Sequence, residues 1–198
     1  MPVKRSVKQP RYRLRDVPDD RLTESQRALR DAIFAGPRGP RLKLNGPFAI
    51  WLHAPELGLL AQALGAHCRF KTALPPRLSE FAILTTAHHW RAQYEWYAHA
   101  PMAERAGVKP ATIRDIKAGR VPKSAPKDER ALYDFIKELY RTRRVSDRTY
   151  RRVRQFLNDA AMIEFVAILG YYALISMTLN VFHALVPKEA PLPFHESA

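Results

Sequence analysis

Residues 79–108 read SEFAILTTAHHWRAQYEWYAHAPMAERAGV, and the spacing within this stretch decides the fold class. Apolar residues recur three and four positions apart on both sides of the run His88, His89, Trp90, Arg91, which is the period of two helices rather than of strands. The pair Pro75 and Pro76 opens the first helix, expected to run through about Trp90, and Gly107 stops the second, expected over Gln93 to Ala106. Glu80, Leu84, Ala87 and His88 share one face of the first helix; Ala92, Glu95, His99 and Met102 share one face of the second. Two carboxylates and two imidazoles are thus expected to converge across a helical hairpin. The plain alternative is that Glu80 and Glu95 cap or pair at the surface and that the histidines are satisfied core residues.

Outward from the hairpin, every segment keeps helical punctuation, and the class is all-α. Thr23 with Gln26 forms a capping box for a helix that carries Leu29, Ile33 and Phe34 inward and ends at Gly36. After the loop GPRGPRLKLNGP, a short helix through Phe48 to His53 is followed by one from Pro55 to about Phe70. Pro110 opens a short helix ending at Gly119, another runs from about Asp128 to Arg143, and Ser146 or Asp147 caps an arginine-bearing helix. On that helix Tyr150, Val153, Phe156 and Leu157 form the inward stripe. Asn158 or Asp159 caps a long apolar helix that Pro187 ends. The expected organisation is a basic flexible arm over 1–20, one domain over 21–187, and a tail over 188–198.

The whole chain has 198 residues, with 33 Lys+Arg against 19 Asp+Glu for a formal net charge of +14. Two stretches, 1–15 and 141–155, each carry +6, so the remainder is close to neutral. No zinc finger, RNA-recognition signature or helix-turn-helix accompanies this charge. It reads as a solvated or oligomer-facing surface, with nucleic-acid binding weak, salt-sensitive and indifferent to sequence. Cys68 is the single cysteine, which excludes an intramolecular disulfide and a two-cysteine redox cycle and fits a reducing, cytoplasmic compartment. The run FVAILGYYALISMTLNVFHALV is long enough to span a bilayer. Tyr171, Tyr172, Ser176, Thr178, Asn180 and His183 are spread through it, which favours a helix buried in an all-α domain over a lipid-facing span.

The hairpin resembles the core of the carboxymuconolactone decarboxylase family, within the alkylhydroperoxidase D-like superfamily. The resemblance extends through GPFAIWLHAPELGLLAQALGAHCRF, LPPRLSE and GYYALISMTLNVF, over roughly residues 21–187. It implies an alkylhydroperoxidase D-like helical bundle with a central hairpin and a long buried C-terminal helix, assembled as a homo-oligomer. In the peroxidase branch the pattern is Glu, eleven residues, Cys, two residues, Cys, three residues, His. In this chain those positions hold Glu80, Ala92, Glu95 and His99. Neither cysteine is present, so a thiol–disulfide cycle has no residues to run on, and what is left resembles the decarboxylase branch.

That branch implies a cofactor-free lyase acting on a small acidic or lactone substrate from aromatic-compound catabolism. Loss of CO2 from the γ-carbon of an unsaturated lactone drives electrons onto the lactone carbonyl, and the resulting dienolate takes a proton at the α-carbon. His99 is the expected acid, with Glu80 or Glu95 orienting its imidazole. Tyr94 and Trp96 would wall the pocket, and Arg91 or another cation would hold a substrate carboxylate. His88 and Trp51 are further candidates for substrate contact, as are His53, Tyr171, Tyr172 and Asn180. Glu80, His88, Glu95 and His99 are also conceivable metal donors, but their spacing on adjacent helices is not a diagnostic metal signature, and the expected site is metal-free. Two rival readings remain: a non-catalytic helical oligomer binding a small ligand or nucleic acid through its basic surfaces, and a peroxidase-related protein borrowing a thiol from another chain.

Overall fold

Helix-start chemistry sets the architecture. A computed structural model of the chain describes residues 11–39 and 44–194, and among these it contains nine α-helices and no strand. Thr23 caps α1 (Glu24–Ala35) with the full capping box, accepting from the Gln26 N–H at 3.3 Å while its own N–H donates to Gln26 Oε1 at 2.9 Å. Proline occupies the first turn of α2 (Pro47–Trp51), α3 (Pro55–Phe70), α4 (Pro76–His89) and α6 (Pro110–Lys117), where its missing N–H costs no intrahelical bond. Between these lie α5 (Gln93–Arg105) and α7 (Lys127–Thr142). Ser146 caps α8 (Asp147–Arg154), and Asn158 caps α9 (Asp159–Val181).

The core is built around α4. All ten residues from Leu78 to Ala87 are buried, because α5, α9, α7 and α6 pack around this helix on different sides. A helix enclosed this way needs apolar or small residues on every face, and FAIL at 81–84 supplies them. Each of the larger side chains contributes about 1.5–3 kcal/mol by leaving water. The long helix α9 packs against α4, α3, α5 and α2. It meets α3 closely: a β-carbon on Gly65 would stand 2.0 Å from the Tyr171 hydroxyl oxygen, so only glycine fits at that crossing. The opposite side of α9 is exposed along Ile163, Val166, Leu174, Met177 and Val181. By length and apolar composition α9 would also suffice to cross a membrane, and half of its most apolar window is buried inside the bundle.

Arg77 ties α4 to α7. Its guanidinium lies 2.5 Å from Asp128 Oδ2 and 2.5 Å from Glu129 Oε1, and Glu129 is fully buried. Burial pushes the Glu129 carboxyl up while Arg77 pulls it down, leaving it raised.

Two expectations are corrected. The last helix stops at Val181 rather than at Pro187, because His183 turns left-handed at φ 53° and Ala184 donates back to the Leu179 carbonyl, closing a Schellman cap. Tyr150 and Phe156 are exposed instead of inward, since α8 ends at Arg154 and only Val153 and Leu157 of that stripe are buried. Residues 1–10 of the basic arm lie outside the described residues. Residues 11–20 lie along the bundle: Tyr12 packs against the core and Arg13 bonds the Val181 and Phe182 carbonyls. Phe194 is buried and exchanges two hydrogen bonds with the Gln93 side chain.

Candidate active site

The hairpin turn puts the two helix faces in register. Arg91 adopts a left-handed conformation (φ 48°), its N–H bonds the His88 carbonyl, and Ala92 bonds back to the Ala87 carbonyl at 2.9 Å. This Schellman turn folds α5 straight back on α4. His99 then sits opposite Glu80, with Nδ1 2.7 Å from Glu80 Oε2. One turn earlier on its own helix, Glu95 places Oε1 3.1 Å from His99 Nε2. All three side chains are buried, and the edge of the imidazole meets Tyr172 with ring centroids 5.3 Å apart.

An imidazole whose two nitrogens both face carboxylate oxygens donates at both, and it can do so only as imidazolium. Burial alone would lower the His99 pKa, but the charges and hydrogen bonds of Glu95 and Glu80 outweigh it and raise the group to about 9. The two carboxylates thus hold a proton on a buried ring at neutral pH.

The trio opens on a cavity of about 80 Å³, whose wall includes Glu95, His99, Tyr94, Tyr171 and Tyr172, with Glu80 behind the imidazole. Two arginines complete it. Arg69 lies with Nε 4.0 Å from Glu80 Oε1 and donates to Met102 Sδ; Arg38 stacks over the Phe48 ring. Burial raises both tyrosine hydroxyls well above the usual phenol range, so both remain proton-bearing donors.

Of the residues singled out in the sequence, Glu80, Glu95, His99, Tyr94, Tyr171 and Tyr172 come together here. Trp96, Arg91 and His88 do not line the cavity: they gather instead around Phe194, edge-on for Trp96 and His88 and through a cation–π contact for Arg91. The side-chain direction decides this, since Trp96 follows Glu95 by one position and so points roughly 100° away around the helix. Trp51 is not a wall residue: it is buried beside Gly58 and packs edge-on against Phe48, which lines the cavity. His53 bonds the Arg15 carbonyl and Asn180 bonds the Trp90 carbonyl, so neither takes part. Because His88 is absent, the four conceivable metal donors do not converge.

Arg38 and Arg69 were not legible as site residues. For Arg69 a signal existed: it lies four residues after Gly65 and next to Cys68, at the margin of the buried stripe Gly58, Ala61, Gly65, Cys68. A charged residue on that margin needs a partner inside, and Glu80 is that partner. Arg38 comes from the loop after α1 and carried no periodic signal.

No protein-family model matches the chain, and no curated protein matches it. Among solved structures it is similar to the alkylhydroperoxidase AhpD core of an uncharacterized peroxidase-related protein from Ralstonia eutropha JMP134, with a TM-score of 0.75 at 16% identity, over 92% of this chain and 95% of that one. The chain therefore has the alkylhydroperoxidase D-like fold.

Proposed function

We propose that the cavity carries out cofactor-free acid/base chemistry on a small organic acid or lactone, and that the protein is a carboxymuconolactone decarboxylase-like lyase of cytoplasmic aromatic-compound catabolism. One observation carries the reading: His99 is held between two buried carboxylates with a raised pKa, on the wall of a cavity that also holds two arginines.

In the proposed reaction a substrate carboxylate faces Arg38 and Arg69, whose positive charge offsets the carboxylates of the trio. The bond from the γ-carbon to a second carboxylate, not the one held by the arginines, breaks, CO2 leaves, and the electron pair moves through the ring double bond to the lactone carbonyl oxygen. Protonated Tyr171 or Tyr172 donates to that oxyanion. His99 breaks its Nε2–H hydrogen bond to Glu95 and delivers that proton to the α-carbon, and water from the bulk restores it. After the proton leaves, the neutral ring keeps its remaining N–H on one of the two carboxylates, and reprotonation restores the bond to the other. At about 80 Å³ the cavity is well under the ~300–1,000 Å³ of pockets for drug-sized ligands, which favours a small substrate.

Thiol chemistry finds no support. Ala92 and Glu95 stand where a thiol pair would be needed, and Cys68 is buried in α3 with its thiol pKa raised by that burial.

The test is CO2 release from a panel of small unsaturated lactone acids. Turnover is expected with the unaltered chain, a drop of roughly 10²–10⁴-fold with His99→Ala, and no change with Cys68→Ser. Binding in the cavity without turnover of any panel member would make the protein a binder instead. Peroxide turnover abolished by Cys68→Ser would overturn the reading in favour of redox chemistry.

A further inference from the structure

The arginine-rich stretch over 141–155 takes no part in the His99 cavity, yet it borders a second and larger concavity. A cleft of about 850 Å³ lies between α7, α8 and the C-terminal end of α4, and it shares no lining residue with the His99 cavity. Its size is in the range of a small-molecule site.

Its charge is one-sided. Lys137, Arg141, Arg148 and Arg152 line it against Asp134 and Glu138. Both acids are already engaged, Asp134 with Arg130 and Arg152 at 3.2 and 3.0 Å, and Glu138 with the Ser146 N–H at 2.8 Å. Among the described residues no carboxylate forms an ion pair with Lys137 or Arg148. Like charges that line one concavity repel, and a bound anion relieves that repulsion.

The remaining wall is aromatic. His89 is exposed, lines the cleft, and has one ring face stacked on Tyr140 at 4.5 Å between centroids and 27° between planes. Tyr140 is fixed beneath it by hydrogen bonds to Thr86 Oγ1 and the Leu169 carbonyl. Burial and the charge of Lys137 lower the His89 pKa, so near neutral pH the ring is an uncharged platform rather than a fifth cation.

We propose that this cleft is a binding site for a nucleoside polyphosphate, with the phosphates on Lys137, Arg141 and Arg148 and the base against His89. Guanidinium and ammonium donors recognise phosphate oxygens, and a base adds stacking on a supported aromatic ring. A bare inorganic anion would use only the cations, and a long polyanion would make no use of a ring at one end of the cleft.

The test is calorimetric titration of the full chain with ATP, adenosine, inorganic tripolyphosphate and a short single-stranded RNA, at about 150 mM salt. ATP is expected to bind with a one-to-one endpoint, more tightly than the other three. Arg141→Ala with Arg148→Ala should weaken ATP by roughly tenfold or more. His89→Ala should weaken ATP while leaving tripolyphosphate unchanged, and it keeps the proposal testable should the double variant fail to fold. Absence of ATP saturation, equal affinity for adenosine, tripolyphosphate as tight as ATP, or RNA binding tighter than ATP would each overturn it. Since the cleft and the His99 cavity share no residue, His99→Ala should leave the ATP titration unchanged.

Discussion

His99 and Glu80 are 19 residues apart in the chain and 2.7 Å apart in space, and Glu95 closes on the other nitrogen of the same ring. The pKa of the imidazole is therefore set by two carboxylates on different helices.

Neutralising either carboxylate should lower it. With Glu80→Gln or Glu95→Gln, the His99 midpoint is expected to fall from about 9 towards or below the ordinary histidine value of ~6.5, because desolvation is then opposed by one charge instead of two. Nuclear magnetic resonance titration of the His99 ring protons reads the shift. A midpoint unmoved in both variants would mean that neither carboxylate holds the proton.

The same coupling makes stability depend on pH. His99 has a folded pKa raised above its unfolded value, so its contribution is fully present below ~6.5 and is lost as pH rises through about 9. The full contribution is about 3 kcal/mol. Urea unfolding at intervals from pH 6 to pH 10 should show a fall that His99→Gln abolishes. Equal stability at both ends of that range would contradict the imidazolium assignment.

Arg77 should matter for folding and not for chemistry. Arg77→Ala leaves Glu129 fully buried without its cation, and removal of one partner of a buried pair costs about 3–5 kcal/mol. Thermal unfolding measures the loss. Arg77→Ala combined with Glu129→Leu, which removes the stranded charge as well, should recover a large part of it.

Self-association, expected from the family resemblance, has an apolar surface to run on: Leu57, Leu60 and Leu64 of α3 and the outer stripe of α9 are exposed in the single chain. Light scattering is expected to give a multiple of 22.7 kDa, and Leu60→Glu or Ile163→Glu to reduce it. A monodisperse species at the single-chain mass would overturn the expectation.

Much of this was open to reading in the linear chain, and the reason is locality. Helix period, proline at the first turn, the capping box at Thr23 and Gln26, and the i,i+4 relation of Glu95 to His99 depend on neighbours within one or two turns, so the all-α class, most helix starts and the pair Glu95, His99 could be assigned before any packing was known, and the turn after Trp90 was enough to bring in Glu80. Which face of a helix a neighbour covers is a different matter. Trp96 and Arg91 lie beside the trio in sequence and yet turn to Phe194, a residue about 100 positions further on that docks through Gln93. Arg38 and Arg69 reach the cavity only because a loop and the end of α3 are brought to α5 by contacts such as Gly65 on Tyr171. The end of α9 came from the left-handed turn at His183 instead of from the proline beyond it. Local rules decided what each segment is; the placement of charge around His99, and with it the chemistry the cavity can support, was decided by side chains that only long-range packing brings within reach.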